Sequence, residues 1–202
     1  RYKYDKLYSE KSNLRRQVAD FVEAQAGNSE LKKEIDLLRQ WNGETTKDNR
    51  SAALVLLAFR PRSNSSKLKT GHERTLEQLE RASKNLVKHF DQIDVEWGKV
   101  NRLVRGDKNL PLGGGPDTLR AIYGRPREDG TLAGQAGDCF FQFVEWDKDG
   151  QLNAWAMNQF GSNPGNPGSL HHTDQAPLFA EEKLRKVPFT REEVLAKAKR
   201  TY

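Results

Sequence analysis

Residues 137–160 read GDCFFQFVEWDKDGQLNAWAMNQF and contain two apolar, aromatic-rich runs separated by a short polar turn. The runs are Cys139–Trp146 and Leu152–Phe160, and both have the composition of β-strands. Between them, Asp147 favours a tight turn, and Gly150 can adopt a positive φ without steric cost. The pattern predicts an antiparallel β-hairpin. Neither run alternates cleanly between apolar and polar residues, so we expect other layers to cover both faces.

The segment after this hairpin predicts a loop. Residues 161–169 read GSNPGNPGS, with almost no apolar content and two prolines. Proline excludes both a helix interior and a central strand. Because the segment leads directly to His171 and His172, we expect an ordered or functional loop rather than a linker.

The first half of the chain has helical periodicity, and a short helix follows at the C-terminus. The predicted helices are Tyr4–Ala26, a helix capped by Asn28 or Ser29 and ending at Asn42, Ser51–Phe59, His72–Phe90 and Arg191–Arg200. The fourth helix should face inward through Leu76, Leu79, Leu86, Val87 and Phe90.

Local signals refine the helix predictions. Ser51–Phe59 is almost entirely apolar, which predicts a buried helix. Residues 61–70 are polar and serine-rich, which predicts an exposed loop. Thr190 and Glu193 have the spacing of a capping box.

The change in pattern divides the chain into two segments. Residues 1–95 are predicted to be mainly helical. Residues 96–202 are predicted to complete a sheet, with Gly- and Pro-rich loops and a C-terminal helix. The fold class expected from these patterns is α+β, with a helical first half followed by an antiparallel hairpin region.

Composition and charge exclude two classes of partner. The 202 residues are 35% hydrophobic and 31% charged, with a net charge of +6. Basic residues are interleaved with acidic ones, as in residues 30–34 (ELKKE), which indicates solvated faces. No helix-turn-helix, RNA-binding or zinc motif is present, so no nucleic-acid partner is predicted. No apolar run is long enough for a membrane span.

Several conspicuous residues have ordinary structural interpretations. Gly113–Gly115 lacks the lysine and spacing of a phosphate loop, and it predicts a turn that passes close to a neighbouring element. Trp41 and Trp97 are interpreted as packing anchors. Cys139 lies inside a strand pattern and is interpreted as a buried free thiol.

The histidines give no metal site. His72 and His89 fall on a charged helix and are predicted to be solvated. His171 and His172 lie close to Asp174, but adjacent side chains diverge and no third ligand has suitable spacing. We interpret this region as a structural loop that fixes the C-terminal segment.

Motifs in order along most of the chain resemble the penicillin acylase family, which includes acyl-homoserine lactone and aculeacin acylases. The motifs are Leu37–Gly43, Val95–Arg102, Leu110–Arg120, Gly137-Asp138, Phe143–Trp146, Gly161-Ser162, Gly168-Ser169, His171–Gln175, Pro177–Phe179 and Val187–Thr190. Ala176–Phe179 and the context of Gly113–Gly115 look more like the lactone and aculeacin acylases than like penicillin G acylases.

The resemblance implies an N-terminal-nucleophile hydrolase with an αββα sandwich. Such enzymes are made as precursors that cut themselves into a smaller α chain and a larger β chain. The first residue of the β chain attacks an amide carbonyl, with its own α-amino group as base. The family is periplasmic or secreted and requires no cofactor. The calcium ions of some members are held by positions outside these residues.

One departure from the family limits what this chain is expected to do. It begins with Arg1, not with Ser, Thr or Cys, and the family's oxyanion-hole asparagine and nearby histidine have no counterpart. The chain therefore resembles the C-terminal part of a β chain, with no catalytic residue and no metal ligand. His171 and His172 are candidates for lining the substrate entrance. Expected partners are the remaining β-chain segment, the α chain and a small acyl-amide substrate.

Two alternatives come from other classes. The first is a non-catalytic scaffold or binding protein that retains the acylase fold. The second is a self-contained, basic, helical interaction domain, which would fold alone. The family interpretation instead predicts an isolated piece with large exposed apolar patches and poor solubility.

Overall fold

The structure is a computed structural model that describes residues 13–59, 71–116 and 118–198. Its helices are α1 (Asn13–Ala24), α2 (Lys32–Arg39), α3 (Ala52–Ala58), α4 (Gly71–Phe90), α5 (Trp97–Val100), α6 (Ala176–Ala180) and α7 (Arg191–Lys197). Its strands are β1 (Asn101–Arg105), β2 (Lys108–Pro111), β3 (Ile122–Pro126), β4 (Leu132–Gly137), β5 (Phe140–Trp146), β6 (Leu152–Asn158) and β7 (Arg185–Lys186). The predicted α+β class is confirmed. The start of the first predicted helix and the predicted loop at 61–70 lie outside the described residues.

The chain forms two compact units. The first is Arg1–Val104 with Asn109–Gly137, and the second is Arg105–Lys108 with Asp138–Tyr202. These units group residues that lie close together in space. The predicted division into 1–95 and 96–202 instead separates helical from sheet-forming segments, and it stays a prediction. Among the described residues, no helix is both long and apolar enough to cross a membrane.

The helices of the first unit bury a shared apolar core. α1 contributes Val18 and Phe21, and the Phe21 ring meets the Phe59 ring edge-on with centroids 5.7 Å apart. Every residue of α3 except Leu57 is buried, so the predicted buried helix is confirmed. Trp41 is also buried, as predicted for a packing anchor.

Helix α4 packs through a narrower stripe than its sequence suggested. Leu79 and Leu86 are fully buried, and Leu76 and Phe90 are half-buried. Val87 is 48% exposed, so its predicted inward position is wrong. Consecutive helical residues point about 100° apart, and Leu86 already occupies the core-facing position.

Strands β1 to β4 form a four-stranded sheet in the order β2-β1-β4-β3. β1 and β4 are parallel, with Asn101 opposite Leu132. β3 and β4 are antiparallel, and the register shifts between Tyr123 and Gly124, which marks a bulge. The turn between β1 and β2 belongs to the second unit.

The second unit contains the predicted hairpin, which is confirmed. β5 and β6 pair antiparallel from Phe140 opposite Asn158 to Trp146 opposite Leu152, and β7 pairs with the other edge of β6. Gly150 has a φ of +77° in the connecting turn. One sheet face packs on α6, where the Phe141 ring stacks on another aromatic ring at 5.9 Å.

The other face of β5 is exposed, although we expected both faces of the hairpin to be covered. Phe140, Val144 and Trp146 are 51%, 41% and 67% exposed, so no described part of the chain covers this face. Cys139 is exposed as well, and its predicted burial is wrong. It precedes β5, and its carbonyl accepts a hydrogen bond from the backbone N–H of Gln159 at the open end of the hairpin.

The last helix begins at the predicted capping box. The Thr190 hydroxyl accepts a hydrogen bond from the Glu193 N–H at 3.1 Å. The Glu193 carboxylate in turn accepts from the N–H groups of Phe189 at 2.9 Å and of Thr190 at 3.3 Å. Two otherwise unpaired helix-end donors are thereby satisfied.

Candidate functional site

The glycine-rich turn of the first unit is held by buried donors. The Trp97 Nε1–H donates to the Gly114 carbonyl at 2.8 Å. The Asn101 side-chain amide donates to the carbonyls of Leu112 at 3.0 Å and Gly113 at 3.2 Å. Trp97 is thus the predicted anchor, and its partner is the turn itself.

Gly114 shows why this turn needs glycine. Its φ is +91°, and a Cβ placed there would overlap the carbonyl oxygen of Arg120. Its own N–H donates to the Thr45 carbonyl at 2.9 Å. The predicted close-passing turn is therefore confirmed.

Sequence reasoning missed the burial of Arg120. The residue is 1% exposed and is the bulkiest of the fully buried residues in the part of the chain that the structure describes. An arginine in a Gly- and Pro-rich segment is ordinarily expected at the surface. The neighbouring Thr118 hydroxyl, which donates to the Gly115 carbonyl at 2.8 Å, shows that this loop is ordered from within.

The loop of the second unit that carries the histidines is also ordered, as predicted. The Asn163 N–H donates to the His171 carbonyl at 3.0 Å, and the Gln175 N–H donates to the Phe160 carbonyl at 2.7 Å. These bonds close the loop at its middle and at its end. Gly161 is required here because a Cβ would overlap the His171 carbonyl.

His171 is the accessible member of the histidine pair. Its side chain is 63% exposed, and Nδ1 lies 2.8 Å from Oδ2 of Asp174. When Nδ1–H donates to this carboxylate, the neutral ring presents Nε2 to solvent as an acceptor. The arrangement is an oriented imidazole, able to accept or donate one hydrogen bond at its exposed edge.

His172 turns the other way, as expected for adjacent side chains. It is buried, its ring packs against Gly106, and its Nδ1 has no hydrogen-bond partner in the structure. Across the described residues, no three His, Cys, Asp or Glu side chains come together as a metal site would require.

The β1–β2 turn completes the surroundings of this loop. The Arg105 guanidinium lies 4.5 Å from the centroid of the Phe160 ring and donates to the Pro164 carbonyl at 2.6 Å. A hydrogen bond from Lys108 holds the pKa of the Asp107 carboxyl below its ordinary value, and His172 adds a smaller effect in the same direction.

Comparison with known proteins decides the family. The penicillin amidase family profile matches residues 4–196, which is nearly the whole chain. This chain belongs to the penicillin amidase family. The resemblance inferred from the motifs is thereby confirmed.

Among relatives of this amidase chain, several are named acyl-homoserine lactone acylase PvdQ. The protein of Pseudomonas fluorescens strain Pf0-1 is 34% identical over 103 residues, or 50% of this chain and 13% of the relative. That of strain Pf-5 is 31% identical over 106 residues, 51% and 13% respectively. A Pseudomonas putida relative is 31% identical over 103 residues, 50% and 13% respectively. The matched part is thus a small fraction of each relative.

The two histidines of the loop have different surroundings. The structure joins His171 to Asp174 and seats His172 against Gly106. The predictions that no catalytic residue lies on this amidase chain, and that the two histidines line a substrate entrance, stay predictions.

Proposed function

We propose that this chain is part of an amidohydrolase that cleaves an acyl-amide bond, with acyl-homoserine lactones as its substrate class. The observation that carries the proposal is the family match over residues 4–196, together with relatives named as acyl-homoserine lactone acylases. In the proposed enzyme the nucleophile is the first residue of the β chain, and no residue of this chain is assigned that role.

The proposed reaction runs through a covalent acyl-enzyme. The nucleophile attacks the amide carbonyl, and its own α-amino group takes the proton. The C–N bond then breaks, and the protonated amine leaves as the free head group. Water attacks the acyl-enzyme, which releases the carboxylic acid and restores the nucleophile.

The role proposed for this chain is to complete the αββα sandwich. Phe140, Val144 and Trp146 form an apolar face on β5, and β5 is an edge strand of its sheet within the described residues. A large apolar face supports burial against another layer. The proposed covering elements are the remaining β-chain segment and the α chain of the same precursor, in a periplasmic or secreted protein.

The histidine loop is proposed to line the substrate entrance. Of the two candidate residues, only His171 has the exposure that contact with a substrate requires. Its Asp174 partner fixes the ring, so the exposed nitrogen has a defined direction. We assign His172 a supporting position beneath the loop, against Gly106.

The experiment is amine release by the complete protein that contains this chain. N-acyl-homoserine lactones of several acyl lengths and penicillin G are compared as substrates. Turnover of the lactones, abolished by replacing the first residue of the β chain with alanine, is expected. Absence of turnover from a correctly processed protein would instead favour the non-catalytic scaffold, and preference for penicillin G would overturn the substrate class.

A further inference from the structure

A cavity of about 260 Å³ lies in the first unit, between α4 and the turn that joins β3 to β4. Its polar wall contains Gln78, Arg81 and Asn85 from α4 and Arg127 from the turn. Its apolar residues include Leu132 at the start of β4. None of the residues that line it is acidic.

The α4 wall is one continuous stripe. Gln78, Arg81 and Asn85 are spaced by three and four positions, which places them on the same side of the helix. The stripe runs beside the buried Leu79 and Leu86. The helix therefore places one guanidinium and two carboxamide side chains along the cavity, beside the residues that it buries in the core.

The opposite wall is fixed by close packing. The Arg127 N–H donates to the Thr131 carbonyl at 2.9 Å, which closes the β3–β4 turn. Gly130 has a φ of +81°, and a Cβ there would lie 2.6 Å from the His89 ring. The turn is thus pressed against the end of α4, with Arg127 facing the stripe across the cavity.

The residues that line the cavity carry two positive charges, those of Arg81 and Arg127, and no negative one. The Nε of Arg127 lies 3.5 Å from the Asp129 carboxylate, and 41% of the arginine side chain remains exposed. The Asp129 carboxylate is also occupied by Thr131, which donates to it from its N–H at 3.0 Å and from its hydroxyl at 2.5 Å. Arg127 therefore keeps donors for a second anion.

These observations define the chemistry of an occupant. A guanidinium group matches a carboxylate through two parallel hydrogen bonds, and carboxamide groups add further donors. The apolar residues suit a short hydrocarbon body. The volume lies below the roughly 300–1,000 Å³ of drug-sized sites, so the occupant is small. We propose that this cavity binds a small carboxylate anion with a short alkyl group, independently of the proposed hydrolase activity.

The test is binding of butyrate and of formate to the complete protein, measured by calorimetric titration at low ionic strength. Arg81→Gln and Arg127→Gln are each expected to weaken butyrate binding about tenfold, since each removes a charge-assisted hydrogen bond. Lys88→Gln is the matched control, because it removes the same charge from an exposed position of α4 outside the cavity. Its butyrate affinity should equal that of the unchanged protein.

Formate tests the apolar residues. It carries the same charge as butyrate but no alkyl group, so it should bind more weakly. Equal binding of the two anions would overturn the assigned occupant. The site would be overturned if Arg81→Gln and Arg127→Gln bound butyrate as tightly as the unchanged protein does. It would also be overturned if the unchanged protein did not bind butyrate. Near-ultraviolet circular dichroism verifies that each variant is folded.

Discussion

The indole N–H of Trp97 donates a 2.8 Å hydrogen bond to the backbone carbonyl of Gly114. This bond links the first residue of α5 to the glycine-rich turn, and it is buried. A buried carbonyl that loses its donor bears the cost of desolvation without compensation. The turn therefore depends on a tryptophan rather than on any large apolar residue.

Replacing Trp97 with phenylalanine tests this dependence. The change removes the donor and is expected to cost about 1–3 kcal/mol of folding free energy. The measurement is the midpoint of urea unfolding of the complete protein, monitored by far-ultraviolet circular dichroism, which reports the backbone rather than the tryptophans. Tyr123→Phe, at a ring that is 47% exposed, is the control and should leave the midpoint unchanged.

Replacing Gly114 with alanine should prevent the turn from forming. The added Cβ would overlap the Arg120 carbonyl, and the φ of +91° is unfavourable for any L residue. We expect loss of soluble, folded protein. Gly27→Ala is the matched control, because a Cβ at Gly27 meets nothing within 4 Å. Normal folding of Gly114→Ala would contradict the described geometry.

The capping box should show in the titration of Glu193. Hydrogen bonds from the N–H groups of Phe189 and Thr190 hold its pKa below the ordinary value of 4.5. The folded-state pKa is depressed, so the stabilising contribution is present above pH 4.5 and lost as pH falls through the folded-state value. Carboxyl carbon shifts measured by NMR report this pKa directly.

Thr190 variants control the titration. Thr190→Ala removes the hydroxyl that accepts from the Glu193 N–H and so loosens the first turn of α7. The backbone N–H groups that bond the Glu193 carboxylate are then held less firmly, so the pKa of Glu193 should rise towards 4.5. Thr190→Ser keeps the hydroxyl and should keep the low pKa. Identical titration of Glu193 in both variants would show that the two halves of the box act independently.

Replacing His171 with alanine tests the proposed substrate entrance. The exposed imidazole is expected to contribute one hydrogen bond to substrate binding, so KM for acyl-homoserine lactones should rise about three- to tenfold. The value of kcat should change little, because His171 is proposed to contact the substrate at the entrance and takes no part in the proposed acyl transfer. Lys148→Ala, in the β5–β6 turn, is the control. Unchanged KM for His171→Ala would remove His171 from the entrance.

Replacing Trp146 with lysine tests the proposed covering of β5. A charge introduced on an apolar face that becomes buried should prevent association with the remaining chains. We expect a large loss of processed, assembled protein on size-exclusion chromatography. Asp149→Lys introduces the same side chain in the neighbouring turn, and it should assemble normally. Normal assembly of Trp146→Lys would show that the face stays exposed.

Local chemistry made much of the fold predictable. The apolar sequence of α3, the turn residues between β5 and β6, and the Thr190–Glu193 spacing each act within a few residues. The structure confirms all three. Such signals need no knowledge of what packs against them.

Non-local packing set the features that the sequence did not show. The parallel pairing of β1 with β4 joins strands that are separated in sequence by β2 and β3, so no local signal predicts it. The burial of Arg120 depends on the surrounding fold, and the exposure of Cys139 depends on where the hairpin begins to pair. In the candidate site, the spacing of His171 and Asp174 was visible, but the bond between them requires the bend of the loop.

The assignment of Arg105–Lys108 to the second unit has a practical meaning for gene design. A gene segment that begins at Asp138 would encode the β5–β6 hairpin and the histidine loop, but not Arg105 or Gly106. The ring of Phe160 would then lose its guanidinium, and the buried imidazole of His172 would lose the backbone on which it packs. A transplant of this unit into another protein must therefore supply that turn from a separate stretch of coding sequence.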